Sequence, residues 1–147
     1  MEGSFAAYQT SRQQQEIGDW QLYQRQMARF IPNRTLGGLA LASPNMSADV
    51  TGNSFEMRRV LAVQANLPHA PVEAIRGGDP AHNARALEAL LAGTPGPYRD
   101  AVLFNASATL IVAGRTDDWT EGAQIAAEAL DSGAALTLLR DWIALSV

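Results

Sequence analysis

"GGDPAHNARALEALLAGTPGPYRDAVLFNASATLIVAG", Gly77 to Gly114, is the stretch whose reading decides the fold. Asp79 can accept hydrogen bonds from the free amides of a first helical turn, and Pro80 suits the opening position of a helix. Gly93 supplies the left-handed stop, so the spacing predicts a helix from Pro80 with Ala84, Leu87, Leu90 and Leu91 as its buried face. "TPGPYRD" is a turn, and a second helix is predicted from about Tyr98 to Ala113, ended by Gly114. This second helix is apolar on nearly every side, the pattern of a helix enclosed by neighbours.

The pattern continues toward the C-terminus. Asp118 with Glu121 three residues on has the spacing of a capping box, opening a helix through Leu130 with Gly122, Ile125, Ala126 and Ala129 inward. After Ser132-Gly133 a last helix carries Leu136, Leu139 and Ile143 at core spacing. Toward the N-terminus the signals weaken. Ile17, Trp20, Gln24, Met27 and Ile31 recur at steps of three and four, which predicts an amphipathic helix over about 5–31, interrupted near Gly18 and ended by Pro32-Asn33. Seven of the nine glutamines lie between Gln9 and Gln26. Residues 32–66 read as loop-rich, with Leu39–Ala42 and Arg59–Val63 as candidates for one or two short strands, and Asn66–Pro71 as extended because each proline disfavours helix in the residue before it. The expected fold is mostly α, in one compact unit made of an N-terminal segment 1–66 and a helical segment 67–147.

Composition bounds the chemistry. The 147 residues suffice for one domain, which at this size hides roughly 70% of the surface of its unfolded chain. The chain has no cysteine, which removes disulfides, thiolate zinc sites and a cysteine nucleophile. All eleven cations are arginine, so no P-loop lysine, Schiff-base lysine or lysine general base exists in it. The net charge of −4 is concentrated in the second half, where five arginines face nine acids over residues 76–147; that is no footprint for nucleic acid. No apolar run approaches the ~18 residues of a membrane span and no basic leader is present, so the expectation is a cytoplasmic protein that contacts neither membrane nor nucleic acid.

Few residues are candidates for chemistry. Gly77-Gly78 ahead of a helix could hold a phosphate, but Asp79 stands where the anion would go and no lysine follows, so the helix-cap reading is preferred. His69 and His82 lie thirteen apart, without the spacing of a helical metal pair. Asp117-Asp118 could join a magnesium site with substrate phosphates, although a cap plus a solvated charge accounts for the pair. Asn105, Ser107 and Thr109 are the polar residues of the most apolar helix; Asn105 should bond a neighbouring backbone, and Ser107 lacks the surroundings of a hydrolase nucleophile. Trp20, Trp119 and Trp142 read as packing residues. No catalytic, cofactor-binding or metal-binding residue is assigned.

"GGDPAHNA" at 77–84, "LLAG" at 90–93, "GPYRDAVLFNASATLIVAG" at 96–114 and "ALDSGAALTLL" at 129–139 together resemble the C-terminal part of anthranilate phosphoribosyltransferase. The likeness is read over residues 67–147, with residues 1–66 unmatched. It implies a segment from the end of an α/β domain, in a glycosyltransferase family of tryptophan biosynthesis that joins anthranilate to the ribose of phosphoribosyl pyrophosphate with magnesium. The family's Gly-Thr-Gly-Gly-Asp loop, Lys-His-Gly-Asn segment and Asp-Glu pair belong ahead of this region, and none of them occurs in residues 1–66. The expectation is a remnant or fragment that is catalytically incomplete alone, binds no cofactor itself, and self-associates or joins another protein chain to cover its apolar helix. The alternative is a non-enzymatic helical interaction or oligomerisation module using the glutamine-rich helix. A weaker third reading is a small enzyme using Asp117, Asp118 or His82.

Overall fold

The computed structural model describes residues 27–31, 38–51 and 54–146. Three strands, β1 (Met27–Ile31), β2 (Asn45–Thr51) and β3 (Ser54–Val60), form an antiparallel sheet in the order β1-β2-β3. Met27 pairs with Val50 and Ile31 with Met46; Asn45 pairs with Val60 and Thr51 with Ser54. Two 3-10 turns, Ala62–Ala65 and Val72–Ile75, lead into four helices: α1 (Pro80–Leu91), α2 (Pro97–Val112), α3 (Trp119–Asp131) and α4 (Ala134–Leu145).

The helical half follows the expected punctuation. Asp79 Oδ1 accepts from the His82 amide at 2.7 Å with Pro80 opening α1, and Gly93 takes φ +86° just beyond its end. Gly114 and Gly133 are likewise left-handed, at φ +68° and +74°. Asp118 caps α3 by accepting from the Glu121 amide at 2.8 Å. Glu121 does not complete the reciprocal half of a capping box: its carboxylate accepts from the buried Thr116 hydroxyl, which in turn accepts from the Asp118 amide at 3.0 Å.

The N-terminal half departs from expectation. Met27–Ile31, the last part of the helix predicted over 5–31, is a strand; the rest of that helix lies outside the described residues. The loop-rich region 32–66 contains β2, β3 and a 3-10 turn. Leu39–Ala42 is a bent segment rather than a strand, and of Arg59–Val63 only Arg59 and Val60 belong to β3. Strand pairing is a property of two segments at once, so periodicity within one of them could not reveal it.

One core joins the two halves. Leu39, Leu41, Val60, Ala62 and Ala65 are buried in the same cluster as Leu90, Leu103, Phe104, Ala108, Ala123 and Leu130. Phe104 is wholly enclosed and meets the Trp119 ring at a centroid distance of 5.4 Å, tilted by 52°. The cover that α2 requires thus comes from Leu39–Leu41, both 3-10 turns and α3. Helices α2 and α3 approach closely because Gly122 has no side chain: a Cβ there would overlap the Ser107 hydroxyl and stand 3.0 Å from the Ser107 Cα.

Two asparagines fasten the Gly38–Asn45 segment. Asn45 Oδ1 accepts from the Ala40 amide at 2.7 Å while its amide donates to the carbonyls of Ala40 at 3.0 Å and Val60 at 3.3 Å. Asn105 Oδ1, on α2, accepts from the Leu39 amide at 2.7 Å, and its Nδ2 donates to the carbonyls of Leu39 at 3.1 Å and Ala101 at 2.8 Å. Each asparagine presents one acceptor and two donors to backbone groups of this segment and its neighbours.

Candidate functional site

The glycine pair ahead of α1 borders a groove of about 350 Å³, lined by Ile75, Arg76, His82, Asn83, Ala86 and Tyr98 among others. Its floor is set by local hydrogen bonding. Asn83 folds back from the first turn of α1, accepting from the Gly78 amide at 2.8 Å and donating to the Gly78 carbonyl at 3.1 Å. A Cβ on Gly77 would lie 3.0 Å from Asn83 Oδ1, and one on Gly78 the same distance from the His82 ring, so both glycines serve close packing against the helix start.

With the Gly78 amide bonded to Asn83 and the His82 amide to Asp79, two donors that could hold a phosphate are already engaged. The Asp79 carboxylate adds a negative charge at that helix end. Arg76 is the groove's cation, and it faces Glu73 at 3.9 Å with both side chains largely in solvent. The groove brings together a guanidinium, an imidazole and a phenol, but no carboxylate pair and no nucleophile paired to a base.

The other candidates have separate duties. His69 shares a 2.9 Å hydrogen bond with the Ala42 carbonyl. Asp118 is a cap and Asp117 is exposed; among the described residues no three His, Asp or Glu side chains converge to hold a metal ion. Ser107 is fully enclosed and donates to the Trp119 carbonyl at 2.8 Å, and Thr109 donates to the Asn105 carbonyl one turn back at 3.1 Å. Trp119 packs as expected, Trp20 lies outside the described residues, and Trp142 is a correction: it is 70% exposed. Burial raises the Asp100 pKa above its usual value, an effect partly opposed by the neighbouring Arg99.

Arg99, whose side chain is only 12% exposed, joins the first turn of α2 to the end of α3. Its Nη2 donates to Asp131 Oδ2 at 2.9 Å, and Nη1 stands 2.9 Å from Oδ1 as an ion pair without hydrogen-bond alignment. This fork was not read from the sequence, because its partners are 32 residues apart. The same holds for Arg76 and Tyr98, which line one groove from the end of the second 3-10 turn and from α2.

Comparison with known proteins places this architecture. Residues 20–136 match the family described as "Glycosyl transferase family, a/b domain". An anthranilate phosphoribosyltransferase of Erythrobacter litoralis is 65% identical over 112 residues, covering 76% of this chain and 34% of the relative. One from Novosphingobium aromaticivorans is 58% identical over 109 residues, covering 74% and 33%. The crystal structure of anthranilate phosphoribosyltransferase from Thermus thermophilus superposes with a TM-score of 0.67 at 34% identity, covering 76% of this chain and 33% of that one. The chain thus spans about a third of the length of the curated relatives it matches. The likeness starts well before Leu67, which corrects the reading of residues 1–66 as unmatched; the sheet and the Gly38–Asn45 segment share the helices' core without carrying conspicuous motifs. No helix among the described residues is long and apolar enough to cross a membrane. With more than half of its length matched, the chain belongs to the glycosyl transferase family with the a/b domain.

Proposed function

We propose that this chain supplies the C-terminal portion of an anthranilate phosphoribosyltransferase, serving phosphoribosyl transfer in tryptophan biosynthesis, and that it does not perform the transfer alone. The observation that carries the first part is the 65% identity with the Erythrobacter protein across a stretch amounting to 34% of that relative. The second part rests on the reaction's demands. As the ribose C1 bonds to the anthranilate nitrogen, its bond to the pyrophosphate oxygen breaks, and the departing charge must be met by aligned donors or a metal ion.

The residues described here do not fit that task. A yeast anthranilate phosphoribosyltransferase was solved in complex with PRPP and Mg, and it shares this fold at 18% identity. In the present chain Asp118 is bound to its own helix, Asp117 belongs to no cluster of three metal-ligating side chains among the described residues, and the glycine pair is bonded to Asn83 and bordered by Asp79. What α1–α3 supply is a packed support with the Arg99–Asp131 fork tying its ends.

Anthranilate consumption in the presence of phosphoribosyl pyrophosphate and magnesium tests both parts. The chain alone should give no turnover, and a fusion placing it after the first two-thirds of the Erythrobacter protein should give turnover. Activity of the isolated chain would refute its incompleteness; a folded but inactive fusion would refute the assignment. A second reading, a non-enzymatic interaction module, is favoured by the exposed apolar side chains of α4 rather than by the glutamine-rich segment.

A further inference from the structure

Helix α4 is apolar around more than half its circumference. Ala135, Leu136 and Leu139 are half-buried on the side where α4 meets α1 and α3. Leu138, Trp142 and Leu145 follow at i, i+4 and i+7, which aligns them in a second stripe, and they are 71%, 70% and 86% exposed. Ile143, although 53% exposed, lies on the side of Leu136 and Leu139 and is not part of that stripe. At 100° per residue Arg140 falls on the far side of the helix and Asp141 at the stripe's edge, so the stripe itself carries no charge.

A helix packed on one face needs one apolar stripe, and a second one means a second neighbour. Contiguous apolar surface of a few hundred Å² centred on a tryptophan is the signature of a protein contact, and the lack of charge fits neither nucleic acid nor an anionic membrane. A stable pair of separate chains covers roughly 800 Å² on each partner, more than these three side chains offer. Docking within one polypeptide avoids the entropy cost of joining two molecules and needs less surface. The relatives contain two-thirds of a protein beyond the portion this chain matches. Resting on the function proposed above, we infer that the Leu138–Trp142–Leu145 stripe is the docking surface for the part of an anthranilate phosphoribosyltransferase fold that precedes the matched third.

The test compares the isolated full chain with the fusion in which it follows the first two-thirds of the Erythrobacter protein. Leu138→Asp and Trp142→Asp should leave the melting temperature of the isolated chain within about 1 °C, since both sites are largely in water, and lower that of the fusion by ~5 °C or more. Should those variants fail to fold, hydrogen exchange on the unsubstituted proteins decides: α4 amides should exchange at least ~10-fold more slowly in the fusion. Equal melting shifts or equal exchange would overturn the inference. So would a concentration-dependent dimer of the isolated chain that Trp142→Asp abolishes, which assigns the stripe to a second copy. These readouts do not depend on turnover, so an inactive fusion that still shows the shift refutes the functional assignment and leaves the docking surface standing.

Discussion

Replacing Asn105 by alanine tests how the N-terminal segment is held to the helices. The side chain makes three hydrogen bonds, of 2.7, 3.1 and 2.8 Å, to the Leu39 amide, the Leu39 carbonyl and the Ala101 carbonyl. Leu39 is 3% exposed, so water cannot readily replace the lost partner. An orphaned buried amide costs about 1–3 kcal/mol and each further hydrogen bond about 1 kcal/mol net; since the Ala101 carbonyl also serves the α2 ladder, the sum is about 2–4 kcal/mol. Against the 5–15 kcal/mol total usual for a domain, that is a large share. With a urea slope near 2 kcal/mol/M, the unfolding midpoint should fall by ~1–2 M at unchanged slope. Gly38→Ala should act through the same contact, because its Cβ would come within 2.5 Å of Asn105 Oδ1. The double variant should therefore lose less than the sum of the two single losses. A midpoint for Asn105→Ala within the equivalent of about 0.5 kcal/mol of the parent, or strict additivity with Gly38→Ala, would refute this account of the attachment.

Two further outcomes follow from the helix pair. Gly122→Ala should destabilise by ~1–2 kcal/mol in urea unfolding, because driving a methyl into Ser107 outweighs the ~1 kcal/mol by which alanine favours a helix; stabilisation would show that α2 and α3 separate freely. For Asp100, burial raises the folded-state pKa above the unfolded 3.8, so the native state binds the proton more tightly and stability falls as pH rises through that window. Asp100→Asn should remove this slope and gain on the parent as pH rises from below 3.8, levelling off above the folded-state value; unfolding midpoints collected across acid pH that run parallel for the two proteins would contradict it.

The helices were legible because their ends are written locally. Asp79-Pro80, Gly93, Gly114, Asp118 and Ser132-Gly133 each act within a few residues of their own position, and all fall at or beside the observed boundaries. The need of Asn105 for backbone partners was also legible, although the partner, 66 residues away, was not. The sheet was not legible, and β2 shows why. Over its first three residues Asn45 and Ser47 are buried while Met46 is 44% exposed, the reverse of the apolar-inward alternation by which a half-buried strand is recognised. The Gly52-Asn53 pair between Thr51 and Ser54 is the signal that could have found the hairpin. In the last helix Leu136, Leu139 and Ile143 have core spacing, but the first two are only half-buried and Ile143 is 53% exposed; that spacing concealed the row of Leu138, Trp142 and Leu145 beside them. At the candidate site the glycine pair was correctly read as a helix start, since Asp79 competes locally for the amides; the groove beside it depends on Tyr98 arriving from another helix.

The Asn105–Leu39 attachment also bears on how such a sequence can be inherited. Because the amide that secures residue 39 sits on a helix 66 positions later, a recombination breakpoint anywhere between them would strand one half of the clasp in a foreign background. Viable gene fusions should therefore cut ahead of Gly38 or beyond Asn105, and shuffled libraries sorted for soluble product should be depleted of crossovers in between.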